Sequence, residues 1–181
     1  MGPVEIVVIA LWFMLPAYIP NNVAVLVGGG PPIDGGRHYR GSRLLGDGKT
    51  WRGLFGGVVA GFLLALALNA IEPTATASIG FDLPRFSMTA MISLPLGALL
   101  GDIGASFIKR RLGAERGASM PGLDQLDLVV GSLGLTALFS WGWVTATINL
   151  WILLAILLIT PLLHLITNWI AYLIGVKDVP W

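Results

Sequence analysis

The chain has 181 residues, 55% of them hydrophobic and only 12% charged, with a formal net charge of +1. A soluble domain carries roughly 25% charged residues, so a fully hydrated surface is excluded and an integral membrane protein is expected. With no cysteine in the chain, disulfides and thiolate metal sites are excluded too.

Apolar runs long enough to cross ~30 Å of hydrocarbon need ~20 helical residues each, and they predict five transmembrane helices at about 3–27, 53–71, 87–108, 127–146 and 148–174. The first run lacks a basic n-region and a clear small-residue cleavage site, so it reads as a retained span rather than a signal peptide. Pro16, Pro20 and Asn21-Asn22 predict a kink or fraying near its end. The next segment, GGGPPIDGGRHYRGSRLLGDGKTWRG, holds nine glycines, five cationic side chains and two acids. Its Gly48-Lys49-Thr50 looks like the end of a phosphate-gripping loop, but a Walker A loop needs glycine where Arg43 stands and a strand in front. A basic loop, or a patch for anionic lipid head groups, would explain the charge. Neither explains the glycines, which free the backbone to bring N–H groups to an anion. The N-terminus of the second span points into the same loop, so phosphate binding there is expected.

Gly53, Gly57 and Gly61 in the second span, and Gly97, Gly101 and Ala105 in the third, repeat at four-residue spacing and predict close helix packing. Asp102 lies about 10 Å below Lys109 along the third span, with Ser106 and Lys109 on the same face. A mid-span carboxylate costs ~2.5–3.5 kcal/mol on insertion scales, so it is expected to face a cavity, a cation or a partner. A structural ion pair with a loop cation is the plainer alternative. Asp124 and Asp127 share a face at the start of the fourth span. Asp124 alone could be a helix cap; the two together with Asp102 predict three carboxylates at one membrane boundary. Oxygen donors without His or Cys suit Mg²⁺, usually shared with substrate phosphates. The last two spans form one apolar stretch of 48 residues, ~72 Å as a single helix, which requires a hairpin with its break between Trp141 and Asn149. His164, with Thr160 and Asn168 a turn to either side, reads as a hydrogen-bonding residue between helices. His38 reads as a phosphate contact or an ordinary loop residue.

The basic residues set an expected orientation. Arg37, Arg40, Arg43, Lys49 and Arg52 lie between spans one and two, Lys109, Arg110, Arg111 and Arg116 between spans three and four, and Lys177 after span five. Only Arg85 falls on the other side. By the positive-inside rule the amino terminus is outside and the carboxyl terminus in the cytoplasm, with two functional loops on the cytoplasmic face.

PPIDGGRHYRGSRLLGDGKTWRG, followed by GDIGASFIKRRLGAERGASMPGLDQLD, resembles the CDP-archaeol synthase family, archaeal membrane CTP-transferases that activate an unsaturated ether-lipid phosphate. The second stretch is also similar to a shortened CDP-diacylglycerol synthase signature. Ser106, Lys109 and Arg110 match its opening and Pro121, Asp124 and Asp127 its end, while a His-Gly-Gly is missing and Gln125 stands in place of an arginine. The resemblance implies CMP transfer from CTP to 2,3-di-O-geranylgeranylglyceryl phosphate, with Mg²⁺ as cofactor. It implies Asp102, Asp124 and Asp127 as metal ligands, and Lys49, Arg52, Lys109 and Arg110 on the triphosphate and lipid phosphate. Gly46, Asp47, Gly48 and Thr50 would shape the nucleotide loop, with Asp47 reaching toward base or ribose. The expected partners are CTP, the isoprenoid lipid phosphate and membrane lipid, with room for a homodimer and no nucleic acid. A CDP-alcohol phosphatidyltransferase would need Gly and Arg after its second acid, which DQLDLVVG lacks. A small transporter would use Asp102 and His164 as path residues but leave the cationic loop unexplained.

Overall fold

The protein is described by a computed structural model over residues 1–39, 41–114 and 120–175. Five long helices, α1 (Pro3–Val27), α2 (Trp51–Ile79), α3 (Met88–Arg111), α4 (Leu123–Thr147) and α5 (Leu150–Leu173), make up most of it. Each is long and apolar enough to cross a membrane, so the expected all-α, five-span architecture is the one the chain adopts. Between α1 and α2, β1 (His38–Tyr39) and β2 (Ser42–Arg43) form a minimal antiparallel ribbon with His38 opposite Arg43.

Helix boundaries depart from expectation where tertiary bonds outweigh local signals. Glu72-Pro73 reads as a stop, because proline removes a donor and crowds the carbonyl four residues back. Yet α2 runs on to Ile79, well beyond 71. Thr76 Oγ1 donates to Glu72 Oε1 (3.2 Å) and accepts from Leu83 N (3.1 Å), while the Asn69 amide bonds both Phe86 O (2.9 Å) and Phe86 N (2.8 Å). These bonds fold the segment after α2 back along the helix and satisfy its backbone. At the other boundary, α4 begins at Leu123 with Gly122 (φ 86°) as its cap, and Gln125 Oε1 accepts from Gly122 N (3.1 Å). Asp124 therefore lies in the first turn and is not the cap. The α4–α5 break falls at Ile148 and Asn149, inside the expected window, with Asn149 Oδ1 accepting from Ile152 N (2.9 Å).

Small residues set how closely the helices approach. A Cβ added at Gly61 would sit 2.6 Å from Pro16 O, and one at Gly57 2.7 Å from Pro20 O, so α2 lies directly on the two prolines of α1. Pro20 has no N–H to give the Pro16 carbonyl, which leaves that oxygen facing the glycine. Across α3 and α4, a Cβ at Gly97 would overlap Gly131 O and one at Gly101 would overlap Asp127 O. Both expected glycine series are thus packing positions.

Contacts sort the connections to two ends. At one end, Trp12 Nε1 donates to Pro84 O (3.1 Å) and Trp143 Nε1 to Arg85 O (2.9 Å), beside the Phe13–Trp143 stack. Asn149 there contacts Met1 Sδ (3.1 Å). At the opposite end, the loop before α2 meets the end of α3. Of the cations used for orientation, Arg40, Arg116 and Lys177 lie outside the described residues.

Candidate active site

The α1–α2 loop has no regular structure to satisfy most of its backbone, so its polar groups need other partners. They gather on Asp34, whose side chain is only 1% exposed. Its carboxylate accepts from Gly36 N (3.0 Å), Leu45 N (3.0 Å) and Gly46 N (3.4 Å), and pairs with Arg43 Nη2 (2.9 Å). Burial pushes this carboxyl's pKa upward, but the guanidinium and the three N–H groups together hold it well below the usual carboxylate range. Gly35, Gly36 and Gly46 all have positive φ, a conformation that glycine adopts freely. The glycines do bring N–H groups to an anion, as expected, but that anion is the chain's own Asp34. The N-terminus of α2 is also largely engaged: Trp51 N donates to Pro31 O (3.4 Å) and Gly53 N to Thr50 Oγ1 (3.1 Å). Two of its first three N–H groups are thus already taken.

Arg111 anchors this loop to α3. Its guanidinium donates to Tyr39 O (2.8 Å) and Arg43 O (2.7 Å) and lies 5.3 Å from the Tyr39 ring and 5.4 Å from the Phe107 ring. Held in this way, the loop directs Lys49 toward α3, where Nζ pairs with Asp102 Oδ2. Lys109 Nζ pairs across to α4 with Asp124 Oδ1, and Asp124 also accepts from Met120 N (2.9 Å). These four side chains and Asp127 line one groove of about 560 Å³ between α1, α3, α4 and α5. Packing explains the meeting: Gly101 rests on the Asp127 carbonyl, which sets the adjacent Asp102 beside the first turns of α4.

The α5 wall of the groove is uncharged and polar. Thr160, His164, Thr167 and Asn168 line it, Tyr18 Oη bonds Thr160 Oγ1 (2.7 Å), and His164 Nδ1 and Asn168 Nδ2 lie 3.2 Å apart. A smaller cavity of about 40 Å³ adjoins it, sharing Asn21, Val25, Lys49 and Asp102 with the groove and adding Gly48 and Thr50.

The structure therefore brings Asp102, Asp124, Asp127, Lys49, Lys109, Gly48 and Thr50 to the two cavities. Gly46, Asp47, Arg52 and Arg110 line neither. The Asp47 side chain is 65% exposed and pairs with Arg43, so in this structure it braces the loop. His38 is exposed in β1, away from both cavities. Among the described residues no three His, Cys, Asp or Glu side chains form a ready-made metal set. Mg²⁺ does not require one, since one or two carboxylates plus substrate phosphates commonly complete its shell. The donor chemistry, all carboxylate oxygen with lysine ammonium groups now beside two of the three, fits such an ion. Sequence reasoning missed Asp34, Arg43 and Arg111 as loop-builders; an acid between two pairs of turn residues in PPIDGG was the available signal.

A family model described as CarS-like, CDP-archaeol synthase, matches residues 4–181. The CDP-archaeol synthase of Halobacterium salinarum (strain ATCC 29341 / DSM 671 / R1) is 58% identical over 181 residues, covering 100% of both chains. That of Methanosarcina acetivorans is 47% identical over 175 residues, covering 93% of this chain and 100% of the relative. A solved structure described as an intramembrane enzyme for archaeal membrane lipids biosynthesis is also similar, with a TM-score of 0.69 and 34% identity. The match covers 88% of this chain and 92% of that one.

Proposed function

The chain belongs to the CDP-archaeol synthase family, and from that premise we propose that it transfers CMP from CTP to 2,3-di-O-geranylgeranylglyceryl phosphate, with Mg²⁺, at the cytoplasmic face of the cell membrane. It is thus a CTP cytidylyltransferase of archaeal lipid biosynthesis. The observation that carries the site assignment is the Lys49–Asp102 pair, which lies in the same groove as Lys109, Asp124 and Asp127.

A phosphate oxygen of the lipid attacks the α-phosphorus of CTP. The new O–P bond forms as the bond from the α-phosphorus to the bridging oxygen breaks, and pyrophosphate leaves with the electron pair. The attacking oxygen is already anionic near neutral pH, so no strong base is needed and the groove's work is positioning and charge neutralisation. Lys49 and Lys109 exchange their carboxylate partners for phosphate oxygens. Asp102 and Asp124, released from those pairs, would together with Asp127 hold Mg²⁺, which when bound neutralises developing charge on the phosphates. Ile19, Val25, Leu128 and Leu163 give the same groove an apolar side, suited to isoprenoid chains entering from the bilayer.

The test is transfer of label from α-phosphate-labelled CTP into the lipid phase by the purified protein in detergent. Transfer should depend on the lipid phosphate and on Mg²⁺, with one pyrophosphate released per CDP-lipid. Folded protein that gives no labelled lipid would refute the reading.

A further inference from the structure

We propose that Asn21 is the residue that reads cytosine, accepting a hydrogen bond from the exocyclic amine of the base. The inference rests on the CTP-transferase reading and deepens it. Asn21 lies near the end of α1, where both cavities meet, flanked by Lys49 and Asp102. Its Oδ1 is buried and has no hydrogen-bond partner. A buried acceptor left unmade is costly and calls for an explanation, and here the residue that carries it lines both cavities.

The surroundings select the donor. The nearby ammonium group, Lys49 Nζ, pairs with Asp102 and, in the reaction proposed above, turns to phosphate oxygens, so it does not serve the base. Ala24, Ile33, Leu54, Leu99 and Ile103 give the small cavity an apolar side, suited to one edge of a flat heterocycle whose body lies in the adjoining groove. Thr50 lines the same cavity; its Oγ1 accepts from Gly53 N (3.1 Å), which leaves its own proton to donate. One acceptor and one donor on the same cavity match the cytosine edge, where the amine donates and N3 and O2 accept. Uracil would instead set its O4 lone pairs against Asn21 Oδ1. A site built around a substrate's N–H rejects the analogue lacking it far more strongly than an apolar pocket rejects a mismatch.

The experiment measures Kd for CTP, UTP and dCTP with Mg²⁺ on the detergent-purified full chain, for wild type, Asn21→Leu and Asn21→Asp. Thermal unfolding confirms that each variant is folded. In wild type CTP should bind more tightly than UTP. Asn21→Leu should weaken CTP by roughly 10–100-fold while UTP changes little, and Asn21→Asp, which keeps an acceptor, should retain more of the CTP preference than Asn21→Leu. A folded Asn21→Leu with an unchanged CTP:UTP ratio overturns the assignment. So does a variant in which only the CTP:dCTP ratio changes, because the contact would then be to the ribose. A wild type that binds no cytidine nucleotide would instead sink the CTP-transferase reading itself.

Discussion

Asp34 and Asp127 show how differently one residue type is used in this chain. Asp34 is a buried structural anion, wrapped by Arg43 and three backbone N–H groups. Removing it leaves three backbone N–H groups without their acceptor and Arg43 with Asp47 as its carboxylate partner, so Asp34→Ala should cost about 3 kcal/mol, read as a lower melting temperature in detergent, with weaker CTP binding as the loop slackens. Because the folded carboxyl titrates below its ordinary range, its stabilisation is complete above the unfolded pKa of ~3.9 and is lost as pH falls toward the folded value. The loop should therefore stay protected from protease through mildly acidic pH and lose that protection only in stronger acid; loss between pH 6 and 5 would contradict this. Lys49→Met removes the cation from the groove and leaves Asp102 without its ammonium partner. We expect CTP affinity to fall at least tenfold, measurable by calorimetry. At this scale the sequence was half legible. The acids and lysines of the groove could be recognised because charge inside a span is costly. Asp34 could not be separated from Asp47, because which of two loop acids is buried depends on a fold that local spacing does not encode.

Glycine spacing carried the element scale well. The four-residue repeats marked the faces on which α2 meets α1 and α3 meets α4, because close backbone approach in lipid requires small residues. Gly101 and Gly104 make a controlled pair on one helix. A Cβ at Gly101 would overlap the Asp127 carbonyl, whereas one at Gly104 meets nothing within 4 Å. Gly101→Ala should destabilise by about 1–3 kcal/mol and lower activity by displacing Asp102 from Asp127. Gly104→Ala should be neutral or slightly stabilising, since alanine is the better helix former. Equal melting temperatures for the two variants would contradict the packing account. Boundaries were less legible than faces. The expected end of α2 at 71 falls just short of Pro73, whose penalty is local, while the bonds from Asn69 and Thr76 that carry the helix past it come from residues up to 17 positions away.

For the whole molecule, five spans put the two termini on opposite sides, and the loop that supplies Lys49 sits at the same end as the α3–α4 connection. By the positive-inside rule, the distribution of arginine and lysine predicts that this end faces the cytoplasm. The chain has no cysteine, so single replacements can report sidedness. Ser78→Cys should react with a membrane-impermeant maleimide in intact cells, and Leu112→Cys, 65% exposed, only after lysis; the reverse pattern would invert the topology. Fold class and family resemblance were readable from composition and two motifs. The ion pair of Asp102 with a loop cation was among the readings, though not which cation; the Lys109–Asp124 pair was not, since it joins two helices through a turn that local spacing does not encode. The most direct test of the account is the turnover of CTP and lipid phosphate by Asp127→Ala, compared with wild type at matched thermal stability. Conversion to CDP-lipid should fall by at least a thousandfold while the variant remains folded. Turnover within a few-fold of wild type would show that the groove's carboxylates do not carry the reaction.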